Sequence, residues 1–189
     1  MGGKVAGVLL AAGAGARFGQ PKALVEFGGR TLAERGVATL IAGGTDPVLI
    51  VTGAVAVRVP GARVVANPDW RTGMGSSVRA ALAALTDDEA AVVIALADQP
   101  LVGAESVRRL IAAFRDGASV AVAAYDGQPR NPVLIAREHW PAVAGSATGD
   151  RGARAFLRDR PDLVTRVECG DTGQPDDIDT PEDLARIRF

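Results

Sequence analysis

Six short apolar runs recur along the chain, each closed by turn-forming residues: VAGVLL (5–10), PVLIVTG (47–53), ARVVA (62–66), AAVVIALA (90–97), ASVAVAAY (118–125) and NPVLIA (131–136). Their apolar character is nearly unbroken, whereas a strand with one wet face alternates apolar and polar residues. The runs therefore predict strands covered on both faces, as in a mostly parallel sheet. Helix-like segments lie between or after them, near 31–42, 75–85, 103–115, 150–158 and 181–187. Strands alternating with helices predict an α/β sandwich.

Two helix starts are legible in detail. Thr31 with Glu34 three residues later has the spacing of a capping box, and that helix runs out at Gly43-Gly44. Thr180 stands as an N-cap, with Pro181 at the first helical position and acids in the first turn. No internal repeat and no Pro-, Gly- or Ser-rich linker divides the chain, which predicts one domain over 1–189.

Composition narrows the class. A chain of 189 residues, 48% hydrophobic, supports one substantial core. The 21 Lys and Arg nearly balance the 22 Asp and Glu, without a block of like charge, which argues against a nucleic-acid or membrane surface. Cys169 is the only cysteine, so neither an intramolecular disulfide nor a cysteine-rich metal site is available, and a reducing, cytoplasmic setting is expected. The apolar stretch Val5 to Ala12 is short, broken by glycine and followed by Arg17 and Lys22 instead of a cleavage pattern. With no membrane-length apolar run either, a soluble, unprocessed protein is the expectation.

The candidate chemistry begins at LLAAGAGARFGQPK (9–22). A Walker loop needs a lysine followed by Ser or Thr after fixed glycines, and this stretch lacks it. The dinucleotide fingerprint G-x-G-x-x-G is missed, because Gly13, Gly15 and Gly19 are spaced G-x-G-x-x-x-G and Pro21 stands where a helix should run. Two readings survive: a solvated turn, or a loop whose small residues bring main-chain N–H groups to a nucleotide while Arg17 and Lys22 add fixed charge. Asp98 follows a buried strand, where ligands of open α/β sheets collect, and is placed either to hold a magnesium ion or to close a turn. Ser76 and Ser77, in TGMGSSVRAAL, read as helix caps, and Asp176, Asp177 and Asp179, in GDTGQPDDIDTPEDL, as solvated or capping acids. His139, the only histidine, has no partner nearby in sequence, which argues against a Ser/His/Asp hydrolase.

LLAAGAGARFGQPKAL resembles the L-A-A-G-x-S-x-R-x-G-x-P-K signature of the nucleotidyltransferases that act on molybdopterin. It departs from that signature at Gly15, where serine is usual, and at Phe18, where methionine is frequent. NPDWRTGMGSSVRAAL, ALADQPLV, RNPVLIAREHW, GDRGARAFL and DIDTPEDL look like the same family's motifs in the same order, so the resemblance spans essentially the whole chain.

The resemblance implies a three-layer sandwich with a mostly parallel, Rossmann-like sheet of nucleotidyltransferase type, and Mg2+-dependent transfer of a nucleoside monophosphate to molybdopterin or its molybdenum-bearing form. It implies catalysis by Arg17, Lys22 and Asp98, and a nucleotide held by Leu10, Ala11, Ala12, Gly13, Gly15, Arg17, Lys22, Gly75, Ser76 and Ser77. Metal would bind Asp98 with Asp177 or Asp179, and the acceptor would meet Asn131, Asp150 and Arg151. LAAG, Pro21-Lys22 and GMGSS are closer to the cytidylyl branch, which favours CTP over GTP. A molybdoenzyme or its chaperone is an implied partner. A guanylyltransferase, a sugar-phosphate or small-alcohol-phosphate nucleotidyltransferase, and a non-catalytic nucleotide-binding chaperone are the alternatives.

Overall fold

The computed structural model describes residues 3–187; Met1, Gly2, Arg188 and Phe189, which the single-domain reading includes, lie outside the described residues. In chain order the strands are β1 (Lys4–Leu10), β2 (Glu26–Phe27), β3 (Arg30–Thr31), β4 (Val48–Thr52), β5 (Arg63–Ala66), β6 (Glu89–Leu96), β7 (Val120–Tyr125), β8 (Gln128–Ala136) and β9 (Val164–Glu168). The helices are α1 (Leu32–Ala42), α2 (Met74–Ala83), α3 (Ala104–Arg115), α4 (Trp140–Ser146), α5 (Arg154–Asp159) and α6 (Pro181–Arg186).

β2 and β3 pair as a small ribbon, and the others form one sheet in the order β5-β4-β1-β6-β8-β7-β9. β8 runs antiparallel between β6 and β7, while the remaining neighbours pair in parallel. The chain moves outward from β1 to β4 on one side and to β6 on the other, so the strand order reverses between β1 and β6. At such a switch point the connections diverge and leave a crevice beyond the carboxyl ends of the strands.

Successive residues of β1 explain the layering. Leu9 packs into a core with Val37 and Leu40 of α1 and Val107 and Leu110 of α3. Val8 and Leu10 point the other way, into a core with Val78 and Leu82 of α2, Trp140 of α4 and Phe156 of α5. Both faces of β1 are thus dry, which is why its run lacks polar alternation. A third cluster joins Val25, Phe27, Leu32 and Ile178, and it ties the β2–β3 ribbon to the acidic segment before α6.

Several features depart from the sequence-based expectation. β9 has no apolar run to announce it: Thr165, Arg166 and Glu168 are exposed on an edge strand. α4 is seven residues long with only Trp140 and Val143 buried, too short for a helical period to register. The segment expected to be helical from 150 becomes helix only at Arg154, because Gly152 takes a positive φ of 52° after a turn at 149–151.

Candidate active site

The loop after β1 is anchored before it opens. Ala11 N donates to Val51 O, Ala54 N donates to Ala12 O, and Ala97 N donates to Leu10 O. From Gly13 the chain leaves the sheet and turns back at residues 16–19, where the Phe18 and Gly19 amides donate to Gly15 O. Gly15 has φ +64°, and a Cβ there would lie 1.9 Å from Gln20 O. The close return of the loop leaves no space for the serine of the resembled signature. Pro21 then opens a short turn of 3-10 helix that carries Lys22 inward.

Two acids distant in sequence meet that lysine. Asp98 lies just past β6, and Ile178 N donates to Asp98 O, so the 177–179 segment docks beside it. Ile178 is fully buried in the third cluster and so anchors the segment that carries Asp177 and Asp179. Asp183, at the N3 position of α6, accepts from the amides of Asp179 and Thr180 and so fixes the Asp179 backbone. Lys22 Nζ donates to Asp98 Oδ2 at 2.9 Å and to Asp179 Oδ1 at 2.5 Å, and Arg17 pairs with Asp179 Oδ2 at 3.1 Å. Burial alone would lower the Lys22 ammonium pKa, but hydrogen bonds and charge from Asp179 and Asp98 hold it above its ordinary 10.5.

These groups sit in a cavity of about 500 Å³ at the carboxyl ends of β1 and β6. Leu10, Ala11, Ala12, Gly13, Gly15, Arg17, Lys22, Ser77, Asp98, Asp150 and Asp179 all line it. Gly75 and Ser76 do not. Gly75 packs against the Ala147–Thr148 backbone, and Ser76 Oγ sits within hydrogen-bond reach of the carbonyls of Asp69 and Gly73. Asn67 was not singled out from sequence, yet its buried Nδ2 donates to both Ser76 and Ser77 Oγ and so presents Ser77 to the cavity. Trp70, Arg71 and Met74 complete this wall, with the Arg71 guanidinium 4.5 Å from the Trp70 ring centroid. Their signal is the NPDW…GM stretch, from which the sequence reading takes only Gly75, Ser76 and Ser77 as site residues.

Asp177 faces elsewhere. Gln99 Nε2 donates to its Oδ1 at 2.8 Å, and both residues line a second cavity of about 600 Å³ that also receives Asn131. Burial, then the charge of Asp98, pushes the Asp177 carboxyl above its usual range, against the Gln99 hydrogen bond. Arg151 lines neither cavity. His139 bonds Ser119 and packs on Phe156, and it too is outside both cavities.

Among the described residues no three His, Cys, Asp or Glu side chains form a metal cage. What the cavity offers is two hard carboxylates, Asp98 and Asp179, converging on one cationic nitrogen. That donor set fits a magnesium-like ion, which takes one or two carboxylates and completes its shell with water and substrate phosphates. No helix among the described residues is long and apolar enough to cross a membrane.

Residues 7–165 match the family model described as "MobA-like NTP transferase domain". The chain is 42% identical to nicotine blue oxidoreductase of Paenarthrobacter nicotinovorans over 97% of its own length and 96% of the relative's. It is 31% identical to the purine catabolism protein PucB of Bacillus subtilis over 96% and 95% of the two chains. Among solved structures, a homologue of Mycobacterium tuberculosis Rv0371c from Mycobacterium sp. strain JC1 superposes with a TM-score of 0.85 at 31% identity, covering 96% of this chain and 93% of that one.

Proposed function

The chain belongs to the MobA-like NTP transferase family, and on that premise we propose that it transfers CMP from CTP to molybdopterin or Mo-molybdopterin, releasing pyrophosphate. The observation that carries this reading is the convergence of Lys22, Asp98, Asp179 and Arg17 on the floor of a cavity opened by the small-residue loop. A dinucleotide site binds its pyrophosphate on a glycine-rich turn at a helix N-terminus and does not require two carboxylates and two cations at one point. A triphosphate does, because its transfer proceeds by positioning and charge neutralisation.

In the proposed reaction an oxygen of the acceptor phosphate attacks the α-phosphorus. The bond from that phosphorus to the oxygen bridging it to the β-phosphate breaks, and pyrophosphate leaves with the electron pair. The loop backbone from Gly13 to Gly15 approaches the phosphates without side-chain obstruction, and Ser77 faces the nucleoside. Arg17 and Lys22 stabilise the negative charge that builds on the α-phosphate and on the leaving group. Asp98 and Asp179 would hold Mg2+, which supplies further neutralisation of phosphate charge when bound. The acceptor phosphate is already anionic, so no side chain needs to act as general base.

Purified protein with Mg2+ and molybdopterin should consume CTP faster than GTP and release pyrophosphate. Preference for GTP would overturn the nucleotide and leave the reaction class intact. A second reading, redox chemistry, is favoured by the name of the 42% identical relative. It predicts reduction of nicotine blue by an added electron donor, which is oxidised in the same step, insensitive to Asp98→Ala.

A further inference from the structure

The second cavity has a polarity along its length that the transfer reaction described above leaves unused. It shares a wall with the first: Asp98 faces one side and its neighbour Gln99 the other, as Asp179 and Asp177 do. Asp176 and Asp177 lie at this end, where Gln99 Nε2 also donates to Pro175 O. Gln99 is buried, and its Oε1 has no hydrogen-bond partner among the described residues.

Moving away from the wall, the floor becomes apolar and then basic. Ile94 of β6 pairs with Val133, Val133 with Val122, and Val122 with Arg166, forming one row across four strands. Three strand spacings put Arg166 about 14 Å from β6. Above the row, α5 presents Arg154, Leu157 and Arg158 at i, i+3 and i+4, a single helix face. Arg158 pairs with Asp159, but the guanidinium groups of Arg154 and Arg166 have no ion pair or hydrogen bond among the described residues. Two uncommitted guanidinium forks over Val122, Val133 and Val164 make a site for oxyanions on a body with apolar surface.

We propose that the second cavity binds the acceptor and that Arg154 and Arg166 bind an anionic group, phosphate or carboxylate, at the end of the acceptor remote from its attacking oxygen. The inference rests on the transferase reading for the word acceptor, while the anion site itself can be measured without turnover. The acceptor is then elongated, with one anion at the shared wall and a second acidic group toward the β9 edge of the sheet.

The test is an NMR titration of the full chain with inorganic phosphate, and separately with acetate, following the methyl groups of Val122, Val133 and Val164. Saturable shifts are expected, stronger with phosphate if the remote group is a phosphate and with acetate if it is a carboxylate. The Arg154→Gln/Arg166→Gln variant should weaken binding roughly thirtyfold, about the loss of two charge-assisted hydrogen bonds at exposed sites, and Lys22→Ala should leave these shifts in place. Both arginines are exposed, and an unchanged melting temperature would show that the variant keeps its fold. Absence of methyl shifts, or equal binding by the double variant, overturns the proposal. In turnover the double variant should raise the acceptor KM and spare kcat. Normal KM in an active transferase refutes the anion site alone, whereas intact anion binding without pyrophosphate release refutes the transferase reading alone.

Discussion

Lys22→Met should change metal binding and turnover in opposite directions. The ammonium lies 2.9 Å from Asp98 Oδ2 and 2.5 Å from Asp179 Oδ1, and the three side chains are 19%, 25% and 32% exposed. A divalent cation using those carboxylates must displace it. A charge-assisted hydrogen bond is worth about 1.5–3 kcal/mol net, and partial exposure reduces each here to about 1 kcal/mol. Displacing both costs roughly 2 kcal/mol, or about thirtyfold in affinity. Methionine keeps most of the stem and removes the charge, so Lys22→Met should bind Mn2+ about thirtyfold more tightly than wild type without nucleotide. Electron paramagnetic resonance of free Mn2+ reads this directly. Pyrophosphate release should meanwhile fall on the order of a hundredfold, the usual cost of losing one charge stabiliser in the transition state. Because the Lys22 pKa is raised, its pairing is fully present below 10.5 and is lost only as pH rises through the folded value, so the affinity ratio should hold across the neutral range. Equal or weaker Mn2+ binding by Lys22→Met would refute the idea that lysine and metal share one position.

Asp98→Asn, assayed for pyrophosphate release with CTP, should lose on the order of a hundredfold or more while its melting temperature stays close to wild type. Gly15→Ser, which installs the residue usual in the resembled signature, should destabilise by about 1–3 kcal/mol in urea titration and abolish CTP binding, because the loop closes on Gln20 O at that point. A stable, CTP-binding Gly15→Ser would show that the loop has a second arrangement. Ile178→Ala should cost about 2–5 kcal/mol by the same titration and weaken Mn2+ binding as well, since the residue that fixes Asp179 is gone. Unchanged metal affinity would mean that Asp183 alone holds the acidic segment.

The inner strands β1, β4, β6 and β7 were legible because they are dry on both faces, and unbroken apolar runs are the signature of that condition, whereas β5, read the same way from its apolar run, is an edge strand with Arg63, Val64 and Ala66 exposed. Thr31 and Thr180 were legible for a local reason: each is satisfied within four residues by Glu34 or Asp183. β9 was not, since an edge strand with exposed Thr165, Arg166 and Glu168 is recognised only by its pairing with β7. At the site, sequence brought forward Lys22, Asp98 and the two later aspartates but left Asp177 and Asp179 equivalent. Their separation lies in their partners, Lys22 and Arg17 for Asp179 and Gln99 for Asp177, a tertiary fact no spacing encodes. Asn67 was missed for a similar reason, being a loop residue whose role depends on the buried serines it meets.

Nucleotidyl transfer can be followed directly. CTP labelled at the α-phosphate is incubated with the protein, Mg2+ and molybdopterin, and the label and the pyrophosphate are both counted. Label should appear on the acceptor in equal amount to pyrophosphate, and both should be lost in Asp98→Asn. Pyrophosphate without label on any acceptor, or no pyrophosphate from any nucleoside triphosphate, would contradict the transfer.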